Sequence, residues 1–112
     1  MGDLSLEIYN IDVTATSNSD YTLSGVDRNG NVSGSDPDLT FNVGDTINFE
    51  VNVSGHPFYL KSAAGTGTKD TISGVINNGS ENTTITWTPT ATGTYYYQCS
   101  LHGGMVGVIT IQ

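Results

Sequence analysis

Tyr95-Tyr96-Tyr97-Gln98-Cys99-Ser100-Leu101-His102-Gly103-Gly104-Met105 ends a strand-like run and delivers a thiol, an imidazole and a thioether within seven residues. Cys99 is the only cysteine in the chain. His102 is one of two histidines, and Met105 is one of two methionines, the other being the start residue Met1. A single short loop therefore carries most of the soft or borderline metal donors. The residues before it, Gly93 to Cys99, read as a strand in which Tyr95, Tyr97 and Cys99 share one face by the two-residue period.

The second histidine is His56, in Ser54-Gly55-His56-Pro57-Phe58-Tyr59-Leu60. It follows the cleanest strand of the chain, Thr46 to Val53. There Ile47, Phe49, Val51 and Val53 alternate with Asn48, Glu50 and Asn52, so that one face is apolar and the other polar. A thiolate and imidazoles suit copper and zinc. Two histidines and one cysteine with a weak axial methionine are the ligand set of an electron-transfer copper site. The candidate metal ligands are thus His56, Cys99, His102 and Met105.

At these residues the chain resembles the cupredoxins, small blue-copper proteins of the plastocyanin and amicyanin kind. Val43-Gly44-Asp45-Thr46-Ile47-Asn48-Phe49 is similar to the family's strand leading to its first histidine. Thr88-Pro89-Thr90-Ala91-Thr92-Gly93-Thr94-Tyr95-Tyr96-Tyr97-Gln98-Cys99 is similar to its approach to the cysteine, and Met105-Val106-Gly107-Val108-Ile109-Thr110-Ile111 to its last strand. The Cys-x-x-His-x-x-Met spacing resembles the short ligand loop of amicyanins. The resemblance spans nearly the whole chain. It implies one type 1 copper ion cycling between Cu(I) and Cu(II), a soluble one-electron carrier rather than an enzyme, and a protein redox partner. It also implies that His102 lies near the surface within a low-relief patch formed by Leu101, Gly103, Gly104 and Pro57.

Two residues depart from the family pattern. Pro57 stands where plastocyanins commonly carry an asparagine whose backbone N–H points at the cysteine sulfur, and proline has no N–H. Leu101 stands where plastocyanins and amicyanins often carry proline, so its N–H is available. The sulfur is expected to gain one donor at Leu101 and to lack one at Pro57.

Outward from the loop, the remaining strands are short. Leu4-Ser5-Leu6-Glu7-Ile8-Tyr9 alternates, and Ile11-Asp12-Val13 continues the pattern. Asp20 to Val26 is a second candidate strand, followed by the Asn29-Gly30 turn signal and a break at Asp36-Pro37-Asp38. Leu39 to Val43 is short and ends at Gly44-Asp45. Pro57 to Lys61 resumes extended structure, with proline confined to the strand start. Ser62 to Asn82 reads as loops around one short strand at Thr71-Ile72-Ser73 or Val75-Ile76. Thr83 to Thr88 alternates with Ile85 and Trp87 inward, and Val106 to Ile111 closes the chain. No segment of ten or more residues has helical periodicity. Seven to eight short strands with turns between them predict an all-β fold, a Greek-key β-sandwich or barrel, over residues 1–112 as one domain.

Composition excludes several functions. With 112 residues, 36% hydrophobic and 12% charged, the chain is long enough for one modest core and is not charge-rich disorder. Eleven acidic residues against three basic ones give a formal charge of −8. That argues against phosphate-backbone contacts and so against nucleic-acid binding. It suits solubility as a monomer, and it would steer a basic-surfaced partner. No run approaches transmembrane length, which predicts no membrane insertion. One cysteine excludes an internal disulfide, so cysteine usage does not report the compartment. Met1-Gly2-Asp3 shows neither the basic nor the apolar region of a signal peptide. This leaves two origins open, a chain without a signal or a mature domain behind a new start. The first implies a cytoplasmic or virion-associated protein, the second a periplasmic, extracellular or lumenal one.

A second function class stays beside the electron carrier. Similar His-Pro-Phe and Tyr-Tyr-Tyr-x-Cys-Ser-x-His patterns occur in domains of phage virion and other multidomain surface proteins. There the same fold would serve as a structural or interaction module that binds copper without a dedicated redox role. Zinc binding or copper storage is a third option.

Overall fold

A computed structural model describes residues 7–112. Among them are nine strands and no helix: β1 (Ile8–Thr14), β2 (Thr22–Asp27), β3 (Gly30–Ser35), β4 (Leu39–Phe41), β5 (Thr46–Asn52), β6 (Phe58–Lys61), β7 (Thr84–Trp87), β8 (Gly93–Cys99) and β9 (Val106–Ile111). They form a five-stranded sheet in the order β3-β2-β1-β5-β7 and a four-stranded sheet in the order β4-β9-β8-β6. The all-β expectation holds. No helix among the described residues is long and apolar enough to cross a membrane.

The alternation in the sequence is what places each strand. In β5, Ile47, Phe49 and Val51 are buried, and Val53 just beyond it is buried too, while Glu50 and Asn52 face outward. The parallel β1–β5 pairing sets Ile11 beside Phe49 and Val13 beside Val51. Ile85 and Trp87 of β7 extend the same inner face. Opposite them, Phe41, Phe58, Leu60, Tyr97, Ile109 and Ile111 line the second sheet. Burying each large apolar side chain contributes about 1.5–3 kcal/mol before chain entropy is set against it. The sandwich is closed by aromatic contacts. Phe49 meets Phe58 across the sheets at 5.2 Å, and Phe58 stacks on Tyr97 at 5.4 Å with planes 16° apart. Tyr97 in turn lies over its β9 partner Gly107, where a Cβ would collide with the phenol ring.

Three details differ from the sequence expectation. The start of the first strand, Leu4 to Leu6, lies outside the described residues, and β1 runs from Ile8 to Thr14. The strand β3 was not expected. Its sequence, Gly-Asn-Val-Ser-Gly-Ser, has one buried apolar residue, Val32, and its extended form is imposed by the β2 ladder across the Asn29-Gly30 turn. Conversely, neither Thr71–Ser73 nor Val75–Ile76 forms a strand. Isolated bridges, Lys61 to Thr71 and Ile76 to Thr86, and single hydrogen bonds such as Ile72 N–H to Leu60 C=O tie that segment to the sheets. Asn78 does part of a strand's work there. Its side-chain oxygen accepts from Leu60 N–H at 2.8 Å and its amide donates to Leu60 C=O at 3.1 Å, which satisfies the edge of β6.

One buried ion pair braces the end of the sandwich at Asp45, which follows the Gly44 turn. Asp45 is fully buried and takes Arg28 by two nitrogens, at 3.1 and 2.6 Å, and the Asn42 N–H at 2.7 Å. Burial pushes its carboxyl up. The Arg28 fork and the backbone donors outweigh that and hold it below the usual carboxylate range. Asp36 behaves in the opposite way. Burial pushes it up to about 6, the Tyr21 N–H opposes the rise and the neighbouring Asp20 carboxyl adds to it.

These shifts set an acid profile by linkage. A raised carboxyl destabilises the fold once ionised, so stability gains as pH falls from 7 through the Asp36 value of about 6. A depressed carboxyl contributes stability that is lost as pH drops from about 4 through its folded value, so Asp45 dominates the acid limb. Thermal unfolding across pH should therefore show a maximum near about pH 5 and a steep fall below about pH 4. Asp36→Asn should flatten the neutral side. Asp45→Asn should cost about 2–4 kcal/mol at pH 7 and shrink the acid limb. A profile unchanged in Asp45→Asn would contradict this assignment.

Candidate metal centre

His56 reaches the site on a tight turn. Its N–H donates to Val53 C=O at 2.8 Å, and Gly55 at the third position has φ 85°, the geometry that makes glycine the residue of choice in a type II turn. The turn carries the chain from the end of β5 in one sheet to β6 in the other. Cys99 is the last residue of β8 and pairs with Phe58 of β6, two residues after His56. The Cys99 N–H donates to Met105 C=O at 2.9 Å, and the Met105 N–H to His102 C=O at 3.2 Å. The Cys99–Met105 loop thus closes on itself at the sheet end. Ser100 N–H to Pro57 C=O, 3.3 Å, ties it to the His56 turn.

The result brings His56, Cys99 and His102 together, with one donor atom from each within 4.8 Å of the others. Cys99 Sγ and His102 Nδ1 lie 3.5 Å apart, and the two imidazole centroids 5.0 Å apart. Cys99 is fully buried, and both histidines are half-buried. His56 Nδ1 is buried without a hydrogen-bond partner. An unpaired buried polar atom costs free energy unless something binds it. Here it belongs to a cluster of two imidazoles and one thiol, a donor set suited to a soft or borderline metal ion. The residues fit such an ion on chemistry and on geometry. Met105 is fully buried at the same end, held by its own backbone bonds.

Around the sulfur, the Leu101 N–H points at Cys99 Sγ from 3.4 Å, and Pro57 supplies no donor, as the sequence implied. His102 is flanked by Leu101, 63% exposed, and by the exposed Gly103 and Gly104, with Pro57 half-buried.

Three supporting residues were not singled out from the sequence. Gln98 is fully buried. Its amide nitrogen lies 2.9 Å from Cys99 C=O, 3.1 Å from His102 C=O and 3.3 Å from Met105 C=O, and its oxygen accepts from Gly65 N–H at 3.1 Å. Lys61 is buried beside it, donating to Gly65 C=O at 2.6 Å and Gly67 C=O at 3.2 Å. Strand alternation puts Gln98 on the outer face of β8, which is correct. That face is nevertheless covered, because the loop around Gly65 folds over it and Gly67 N–H bonds to Ser100 C=O at 2.8 Å. The sole hint was a polar amide directly before the cysteine. Tyr21, buried beneath the His56 turn, was read only as part of a strand. Burial, with the neighbouring Cys99 sulfur adding to it, pushes its phenol far above the ordinary tyrosine range.

The fold is shared with solved copper proteins. Rusticyanin from Thiobacillus ferrooxidans superimposes with a TM-score of 0.64 at 20% identity, covering 96% of this chain and 79% of that one. A reduced Cu(I) form of an amicyanin variant covers 100% of this chain and 86% of its own, at 19% identity and a TM-score of 0.50. No curated protein matches the sequence. A family model for copper-binding proteins of the plastocyanin/azurin family matches residues 21–112, the stretch that contains both histidines, the cysteine and Met105. The chain belongs to the plastocyanin/azurin family of copper-binding proteins.

Proposed function

We propose that residues 1–112 work as one blue-copper domain in which His56, Cys99, His102 and Met105 hold a single ion and carry one electron at a time to and from a protein partner. The observation that carries this reading is the orphaned His56 Nδ1 beside the Cys99 thiol and the His102 ring. A bound copper ion supplies a one-electron couple, Cu(I)/Cu(II), for which two imidazoles, a thiolate and a weak thioether are an acceptable compromise in both states.

The chain's own residues supply the rest. Cys99 and Met105 are locked to each other by backbone bonds, and His56 by its turn, so the donors have little freedom to rearrange with charge. Less reorganisation means a lower barrier to electron exchange. Burial of Cys99 and Met105 keeps water from the sulfur atoms. His102 is half-buried between the exposed Leu101 and Gly103, where a partner can approach it. The formal charge of −8 favours a partner with a basic surface. The donor cluster contains no paired carboxylates, and its one thiol, Cys99, is fully buried away from any substrate, which supports a carrier rather than an enzyme.

Titrating metal-free protein with Cu(II) should give an intense visible band that ascorbate bleaches and oxidant restores. Cys99→Ser should lose the band while the fold is retained. No band in the wild type would overturn the reading. A band with sluggish electron exchange would instead favour a structural module that happens to bind copper.

The Leu101 donor gives a second test. An N–H directed at the sulfur withdraws electron density and favours the reduced ion. Leu101→Pro removes it and should lower the reduction potential by about 60–130 mV, because hydrogen bonds to charged acceptors are worth about 1.5–3 kcal/mol and 59 mV is about 1.4 kcal/mol for one electron. Pro57→Asn, which restores an N–H, should raise it. Voltammetry showing both potentials unchanged would remove the role assigned to these donors.

A further inference from the structure

The His56–Pro57 peptide has an unusual anchoring problem. Its nitrogen belongs to proline and carries no hydrogen, so its oxygen is the only polar handle by which the protein can hold it. That oxygen lies 2.8 Å from the Tyr21 hydroxyl, and the next carbonyl, of Pro57, lies 3.1 Å from the same hydroxyl. Tyr21 lies directly before β2 of the five-stranded sheet, 35 residues away in sequence. The placement of its hydroxyl is fixed from both ends. The backbone is pinned to Asp36, with Tyr21 N–H donating to Asp36 Oδ1 at 2.9 Å and Asp36 N–H donating to Tyr21 C=O at 2.8 Å. The ring is held edge-on against Phe58 at 4.9 Å and lies 6.3 Å from Tyr97. The Cys99 sulfur neighbours the same hydroxyl.

We infer that Tyr21 is a positioning residue for the metal centre: its hydroxyl clamps the His56–Pro57 peptide by its oxygen, replacing the N–H anchor that Pro57 cannot offer, and so fixes the His56 ring relative to Cys99. The inference rests on the reading of His56 and Cys99 as metal ligands, but the clamp itself exists without metal. Removing the hydroxyl leaves the His56 carbonyl without its donor, which loosens the turn while the aromatic packing stays.

The test is Tyr21→Phe, which keeps the ring, compared with wild type both metal-free and loaded with Cu(II). In metal-free protein, amide hydrogen exchange at His56 and Phe58 should speed by about ten-fold relative to Ile109 of β9, since loss of one hydrogen bond is of that size. In loaded protein, the visible band maximum and the copper hyperfine splitting should shift, and copper release should be about ten-fold faster. Pro57→Ala returns an N–H to the turn, so in that background Tyr21→Phe should have a smaller effect, a coupling that general destabilisation would not produce. Unchanged exchange at His56 and Phe58, or a uniform rise at all strands including Ile109, would overturn the clamp. If wild type gives no visible band, the metal reading fails, while the metal-free exchange still decides whether Tyr21 clamps the turn.

Discussion

The hydrogen bond from the Cys99 N–H to the Met105 carbonyl, 2.9 Å long, closes the loop on which the functional end of this protein depends. It holds the end of β8 against the start of β9, so the residues between them must arch out from the sheet edge. Within that arch the Met105 N–H returns to His102 C=O, and Cys99 and His102 are brought to one end of the sandwich. His56 joins them from the crossing between the two sheets. Its turn is joined to the loop by the Phe58–Cys99 pairing and by Ser100 N–H to Pro57 C=O. The donor geometry is therefore set by main-chain bonds, which are shorter-range and stiffer than side-chain preferences.

A loop that tight turns carbonyls inward, and inward carbonyls need donors. Gln98 answers for several of them with one buried amide, and its oxygen recruits the Gly65 segment as a cover. Lys61 fastens that cover by its ammonium to two carbonyls. Tyr21 serves the His56 turn in the same manner from the residue before β2. Buried polar groups of this kind specify one arrangement when they are fully satisfied and penalise the alternatives when they are not. The one buried side-chain atom among the described residues that nothing satisfies is His56 Nδ1, which marks where an ion belongs.

Much of this was legible in the residues. The alternation of Ile47, Phe49, Val51 and Val53 gave β5 its inner face, and the Gly93 turn with Tyr95, Tyr97 and Cys99 gave β8 its own. The chemical rarity of one cysteine and two histidines singled out three donors that the fold then brings together. What stayed hidden has physical reasons. Gly30–Ser35 has almost no apolar pattern and is extended only because β2 pairs with it. The segment from Ser62 to Asn82 looked able to hold a strand, but the edge of β6 is satisfied there by the Asn78 side chain. Gln98 and Lys61 are polar residues on a face that alternation assigns to solvent. Their burial comes from a loop folded over them, a long-range event that no local period records.

The most direct test of a preassembled two-nitrogen, one-sulfur site is X-ray absorption at the copper edge on protein loaded with one equivalent of Cu(II), measured before and after reduction. A first shell of one sulfur and two nitrogen scatterers that keeps its composition in both states is the expected result. A shell of nitrogen and oxygen alone, or one that gains or sheds a strong ligand on reduction, would contradict it.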